Sequence, residues 1–464
     1  MTREAPTLPV RLLAAVALSA ALAPLNSTMI AVALPEMAQA LPADSAALRQ
    51  GLVTSYLLTN IVLQSPGGKL GDRLGHRRAL ALGQFTFALG AAVAYLMPTL
   101  SVLTTARITM AAGGAVLGPS AMALLRTELP PAMRPRAFGA FGALMGLSAA
   151  LGPKIGGLLV AHFGWTSIFL ANVPVLLLSA LLAHTKGSPA PAAQAQSPAA
   201  PPRPFDVVGS VLLGLSLIGI VLGLENAHLR WAAALGLLGF IPFALWERRV
   251  ADPVIDFSLF RQRAFVGGSL LIALQNLGMY SVMFELPQVA GRLFTLGKQD
   301  VGNTLVAMMV AMVIASPLAG RLSERFGERA VATSGSLIAV SGMVLLLVRP
   351  LATLTDAVPA LALLGAGLGL SSAPSQAAAM SDVPREKSGM AAGVTTTMRY
   401  IGGVGGVSVL GLVLSESRAP ELVHGEHATA MMVFCVALLL ATGCARLLPG
   451  RAGSQVPAAK SATS

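Results

Sequence analysis

"GGKLGDRLGHRR", Gly67–Arg78, is echoed far along the chain by "AGRLSERFGERA", Ala319–Ala330. Aligned, both read Gly-basic-Leu-x-acid-Arg-x-Gly-x-Arg, through Gly68/Gly320, Asp72/Glu324, Arg73/Arg325, Gly75/Gly327 and Arg77/Arg329. An ordinary loop beside a membrane calls for basic residues, but not for glycine and an acid at fixed places. Two such loops at corresponding places mark a duplicated unit. Glycine allows a tight turn between helices, and the alternating charges can form an ion-pair latch.

What surrounds the loops is apolar. The chain has 464 residues, 55% hydrophobic and 11% charged, with a mean hydropathy of +0.72. Soluble domains carry about 25% charged residues, so the expectation is an all-α polytopic membrane protein. A bilayer core needs about 20 apolar residues per helix. Fourteen segments qualify: 10–32, 48–68, 79–97, 100–125, 137–161, 166–184, 207–224, 230–247, 264–287, 302–320, 330–348, 357–380, 389–414 and 428–447. An even number puts both termini on one side. With that side cytoplasmic, inner segments hold 23 of the 32 Lys and Arg and outer loops hold 6, the positive-inside bias. The net charge of +12 therefore reads as membrane orientation, not nucleic-acid binding. Cys435 and Cys444 lie about 13 Å apart along one helix, too far for a disulfide.

The expected organisation is a six-helix bundle (1–184), a cytoplasmic Pro/Ala-rich linker (185–206) and two extra transmembrane helices (207–247). A short cytoplasmic linker (248–263), a second six-helix bundle (264–448) and a disordered cytoplasmic tail (449–464) follow. Internal repeats around a midplane site are the build of many secondary transporters.

At this point the chain resembles the major facilitator superfamily, in its fourteen-span drug:proton antiporter branch, the multidrug efflux type. The first loop resembles the superfamily signature between helices two and three. "LNSTMIAVALP" (Leu25–Pro35), "ARITMAAGGA" around Arg107, "LGPKIGG" with Gly152, Pro153, Gly156 and Gly157, "GWTSIFLANVP" (Gly164–Pro174) and "RYIGGVGG" (Arg399–Gly406) resemble motifs of helices one, four, five, six and the penultimate one. The resemblance implies two pseudo-symmetric six-helix bundles plus two additional helices, alternating access, and a proton-coupled antiporter. One departure counts. Family members usually carry an aspartate where this chain has Asn26, which cannot titrate.

Charges inside the spans each need a reason, because one at a helix centre costs about 2.5–3.5 kcal/mol on insertion scales. Lys154 and Glu285 sit about 12 and 10 Å from the outer ends of their helices, Arg107 about 12 Å and Asn26 about 14 Å below theirs. Four helices thus bring polar groups to one depth, a central cavity with an outer gate. The expectation is that Lys154 and Glu285 face each other, and that Glu285 titrates in place of the missing aspartate. The plain alternatives are a lysine snorkelling outward, a carboxylate at a fraying helix end, and a structural ion pair for Arg107. Arg399 falls near mid-membrane. Tyr56, Asn60, Gln64, Gln275, Asn276 and Tyr280 are candidate cavity residues, with Asn303 and a soft wall of Met308, Met309 and Met312. The glycines of "GPKIGG" and "GGVGG" suit close helix packing, and Pro153 a hinge.

An enzyme is not expected: no nucleophile–base pair lies on a common motif. No Walker sequence exists, so ATP is not a partner, and no cofactor is expected. "HGEH", His424–His427, is at most a weak surface metal site. The expected partners are a small-molecule substrate, protons and the lipid bilayer, for a monomer in a bacterial inner membrane. The leading function is proton-coupled efflux of amphipathic or cationic compounds. Two alternatives are a transporter of an anionic or neutral metabolite or lipid, using Arg107 and Lys154 as counter-charges, and a non-transporting scaffold or sensor.

Overall fold

The computed structural model describes residues 10–41, 47–48, 50–184, 204–225, 227–293, 298–349, 353–414 and 419–450. Most of the expected 185–206 linker and of the C-terminal tail lies outside them. The described residues contain α, 3-10 and π helix and no strand. Fourteen helices of 13 residues or more overlap the fourteen expected segments, with different ends: α1 Val10–Ala40, α2 Ser55–Leu74, α3 His76–Leu96, α4 Leu100–Glu128, α5 Arg134–Phe163, α6 Asn172–His184, α7 Val207–Glu225, α8 Arg230–Glu247, α9 Arg263–Leu293, α10 Lys298–Phe326, α11 Glu328–Val348, α12 Val358–Ala379, α13 Ser388–Val413 and α14 Pro420–Cys444. A π-helical turn, Gln50–Thr54, leads into α2. Helix is what these residues must form in lipid, where only internal hydrogen bonding satisfies the backbone.

Ten of these helices are long and apolar enough to cross a bilayer. The other four, α2, α6, α8 and α13, fall short on length or hydropathy. Large apolar side chains point outward throughout: Phe163 is 75% exposed, Leu237 63% and Leu215 61%. Apolar surface on that scale marks contact with lipid.

The sequence repeat is a structural one. Gly75 and Gly327 both have positive φ, 83° and 86°, a conformation that favours glycine. Each breaks the chain between two helices. Eight residues beyond each lies a crossing glycine. A Cβ on Gly335 would come within 3.0 Å of the Gly367 carbonyl, and one on Gly83 within 3.0 Å of the Gly113 carbonyl. Small residues here let α3 approach α4, and α11 approach α12.

The residues group into two compact units: Met1–Pro130, Leu144–Ser258 and Pro384–Val404 in one, Pro131–Ala143, Leu259–Val383 and Gly405–Ser464 in the other. These boundaries differ from a simple division into sequence halves. The first turns of α5 group with the second unit and the first turns of α13 with the first.

Candidate functional site

In the first unit a buried polar cluster forms around Arg107 of α4, which is 1% exposed. Its Nε donates to the Leu52 carbonyl at 2.8 Å and its Nη1 to Asn26 Oδ1 of α1. Its guanidinium lies 3.8 Å from the centre of the Tyr56 ring, a cation–π contact. Tyr56, Asn60 and Gln64 are all buried and follow one face of α2 at four-residue spacing. Asn60 Nδ2 donates to the Tyr56 carbonyl at 3.2 Å, and Gln64 Nε2 to Asn60 Oδ1 at 3.4 Å. Gly114 and Gly118 of α4 face this column and leave room for it. Arg107 has no ion pair among the described residues, so the cluster carries one fixed positive charge. The side chain that meets it, Asn26, is a neutral amide.

On α5, a Cβ at Gly152 would overlap the Thr28 side chain of α1, and one at Gly156 would sit 3.1 Å from Met29 Cα. These glycines seat α5 on α1. Gly157 has more room, with Val32 3.9 Å away. Pro153 lies inside the helix. Lys154 is exposed, with no ion pair among the described residues.

Glu285 of α9 lies in the second unit. Glu285 is 1% exposed, and its Oε1 lies 2.6 Å from His427 Nδ1 of α14. Its hydrogen-bond partner within the second unit is His427. His427 Nε2 donates to the Leu346 carbonyl of α11 at 3.1 Å. Beside this pair, Arg292 Nη1 of α9 bonds Glu426 Oε2 at 2.7 Å. "HGEH" is therefore not a surface loop: Glu426 and His427 are buried on α14, and no group of three metal-ligand side chains occurs among the described residues. The expected boundary at 428 fell short because paired charges tolerate burial that isolated ones do not.

Deeper along α9, Gln275 Nε2 donates to Ser371 of α12, and to Ser336 of α11 at 3.4 Å. Its amide thus joins three helices. Asn276 Nδ2 donates to the Ile272 carbonyl of its own helix at 2.7 Å. Tyr280 and Arg399 are half-buried. An apolar groove lined by Leu215, Trp231 and Leu235 lies between α7 and α8 and includes none of these candidates.

The repeated loops dock by different chemistry. Asp72 Oδ1 accepts from the Gly389 N–H at 2.7 Å and Oδ2 from the Met390 N–H at 2.8 Å. These are free N–H groups at the start of α13, where a helix favours negative charge. The backbones of Gly68 and Gly389 touch there. Glu324, the counterpart of Asp72, pairs with Arg136 in the first turn of α5 at 2.8 Å. A Cβ on Gly320 would lie 2.7 Å from Arg136 Cα. Each loop thus docks on the first turn of a helix from the other half of the sequence. Arg77 bonds Glu128 through Nε at 2.8 Å and Nη2 at 2.7 Å. Arg329 instead donates to the Leu448 carbonyl at 2.7 Å, and Arg325 lies over the Phe326 ring.

The segment after α8 was missed as a participant. Asp252 binds Lys69, and also Arg73 Nε at 3.1 Å. Asp256 binds Lys387, and its N–H meets Met390 Sδ at 3.2 Å. Partial burial raises the Asp252 and Asp256 carboxyls. Bonds to Lys69 and Arg73, and to Lys387 and Ser258, outweigh it and hold both below the usual range. Burial pushes Asp72 up to about 7, against the opposing pull of the two N–H donors and Lys69. The expected ion-pair latch thus divides: the acid of the loop caps a helix, and its basic residues hold an acidic strap. The sequence signal was the spacing of Asp252 and Asp256 in an otherwise apolar "ADPVIDF".

Long apolar helices with outward-facing apolar side chains around buried polar groups are the build of a polytopic membrane protein. The profile of the Major Facilitator Superfamily matches residues 16–407, and the chain belongs to that superfamily. The tetracenomycin C resistance and export protein of Streptomyces glaucescens is 32% identical, over 90% of this chain and 78% of that one. The multidrug efflux pump LfrA of Mycolicibacterium smegmatis is 30% identical, over 89% and 82%. An uncharacterised transporter of the superfamily in Bacillus subtilis, YvkA, is 31% identical, over 92% and 94%. Among solved structures, the human organic anion transporter MFSD10 aligns with a TM-score of 0.67 at 16% identity, over 95% of this chain and 100% of that one. The proton:xylose symporter XylE aligns with a TM-score of 0.67 at 15% identity, over 93% and 94%. At those identities the fold is what is shared.

Proposed function

We propose that this protein is a fourteen-span secondary transporter that exports amphipathic small molecules in exchange for protons, by alternating access. The observation that carries the reading is the pair of docked loops. Asp72 holds the start of α13 and Glu324 the start of α5, so releasing both frees two helices that run through both units. That is the kind of bistable contact an alternating mechanism needs. In this reading both termini are cytoplasmic and two six-helix bundles, 1–184 and 264–448, rock about a midplane site. The protein works as a monomer in a bacterial inner membrane, without ATP. Relatives named for multidrug efflux and antibiotic export support the substrate class. With Asn26 unable to titrate, Glu285 is the group assigned to the proton. Lys154 is assigned to the outer gate.

A second reading has its own observation. The buried Arg107 has no carboxylate partner among the described residues, and its charge favours an anionic or neutral substrate. Everted vesicles loaded with a dye panel, with and without a pH gradient, test both. Dye accumulation that collapses with the gradient supports proton-coupled export. Uptake indifferent to pH but dependent on an organic anion supports the second reading and removes the first.

A further inference from the structure

The Glu285–His427 pair has a fixed proton count that follows from its partners. His427 Nε2 faces the Leu346 carbonyl, which accepts and never donates. That nitrogen therefore keeps its hydrogen. The 2.6 Å gap between Nδ1 and Oε1 then holds one more proton, on the ring or on the carboxyl, and in both cases the pair is neutral. Losing that proton leaves a net negative charge at a site almost closed to water, which is costly unless another cation arrives. One atom has accepting capacity left for such a cation: Glu285 Oε2 is buried and without a hydrogen-bond partner.

The described charged groups nearby do not alter this balance; Lys298 and Asp300, at the start of α10, lie outside the residues whose side chains are described. On α9 and α14 the neighbours are Arg292 and Glu426, which neutralise each other. Glu421 and His424 are exposed. α12, packed on α9, has no titratable residue. The titratable residues of α11, Glu328 and Arg329, start that helix, about 25 Å from Leu346, and Arg349 at its other end is exposed.

We propose that the Glu285–His427 pair is the proton-binding site of the exchange, and that an organic cation at Glu285 Oε2 displaces its shared proton. The inference rests on the export reading above. The step is a proton transfer: the Nδ1–H (or Oε1–H) bond breaks, water takes the proton, and the cation's charge replaces it. Proton and cation neutralise the same carboxylate, so they exclude each other, which is the condition for antiport. His427 acts as a positioning residue that holds the carboxylate and shares its proton.

The test uses tetraphenylphosphonium, a cation with no proton of its own. Purified protein in nanodiscs, in weak buffer with a pH-sensitive dye, should release about one proton per cation bound between about pH 5 and 8. Glu285→Gln and His427→Gln should abolish release, and Glu285→Gln should weaken binding roughly tenfold. If either variant fails to fold, the infrared difference spectrum of wild-type protein with 15N-labelled histidine reads the same event, as a shift of an imidazole band on cation binding. Absence of binding, binding without proton release, release unchanged in both folded variants, or a silent imidazole spectrum would each overturn the proposal. Gradient-driven efflux from vesicles that is equal in wild type and both variants would overturn it while export stands. Proton release on binding without any efflux would leave the site in place and remove the export reading.

Discussion

Asn26 is the residue on which the electrostatics of the first unit turn. Its carbonyl oxygen takes the Arg107 Nη1 donor, while its Nδ2 has no partner. Asn26→Asp would replace an amide by a charge beside a buried, unpaired guanidinium. We expect a higher melting temperature in nanodiscs, because the pair neutralises a charge already desolvated. Asn26→Leu removes the acceptor instead and should cost about 1–3 kcal/mol, seen as a lower melting temperature. Equal melting for both variants would show that Arg107 does not depend on position 26. The same aspartate should shift preference from anionic toward cationic substrates. Asn26 and Arg107 were readable in the sequence as polar residues at a shared depth. Their mutual contact was not, because depth along two helices says nothing about which faces meet. For the same reason the contact of Glu285 with His427 was not foreseen: 142 positions separate them, and no spacing rule spans that distance.

At the scale of elements, the α2–α3 loop makes a pH-dependent contact with α13. Asp72 titrates near 7 when docked and near the ordinary 3.8 when released into water. Protonation therefore favours docking: the contribution is full below the ordinary value and is lost as pH rises through about 7. Hydrogen exchange of the 384–392 segment, corrected for intrinsic rate, should show protection falling between about pH 4 and 7 and level above that. Asp72→Asn, neutral at every pH, should flatten that profile. Protection independent of pH in the wild type would sink the idea. Asp252 titrates in the opposite sense, since its pKa is lowered, and its pairing weakens only as the medium becomes acid. Asp252→Asn frees Lys69 and Arg73 at a cost of about 1 kcal/mol or less, as the carboxylate is partly exposed. Trypsin should then cut faster at Arg248 and Arg249, without loss of fold by circular dichroism. Most elements were legible because lipid demands long apolar helices and the loop glycines fix where they break. Their ends were less so. Pro287 and Pro35 stay inside α9 and α1 rather than ending them, and the strap was read as linker because its role lies in partners from distant segments.

For the whole molecule the open matter is the crossing of α7 and α8. Removing both from the bilayer would leave every other helix in the same orientation, since two crossings cancel, so the side of the C-terminus cannot decide it. The turn between them can. At 1.5 Å per residue, 18 residues of α8 span about 27 Å, slightly short of a hydrocarbon core of about 30 Å but within the range of about 17–25 residues seen for crossing helices. Gly219 and Gly236 bring α7 and α8 within backbone contact, and Val62 of α2 lies 2.9 Å from a Cβ built on Gly214, so the two form a hairpin seated on α2. Its outward face is Leu215, Leu235, Leu237 and Leu238, each more than half exposed, a surface that water would not tolerate at that density. Its other end is tied down: Asp206 accepts from the Gly209 N–H at 2.8 Å and from Trp246 Nε1 at 2.9 Å. A hairpin with a polar, capped base and an apolar shaft fits a crossing pair with His228 at the outer surface. A cysteine introduced at His228, with Cys435 and Cys444 replaced by alanine, should react with an impermeant maleimide added to intact cells. A cysteine at Ser197 should react only after the cytoplasmic side is exposed. If the His228 position also needs permeabilised cells, α7 and α8 lie on the inner surface. The strap that follows them would then tether a peripheral hairpin to the loop of Lys69 and Arg73 rather than link a transmembrane one.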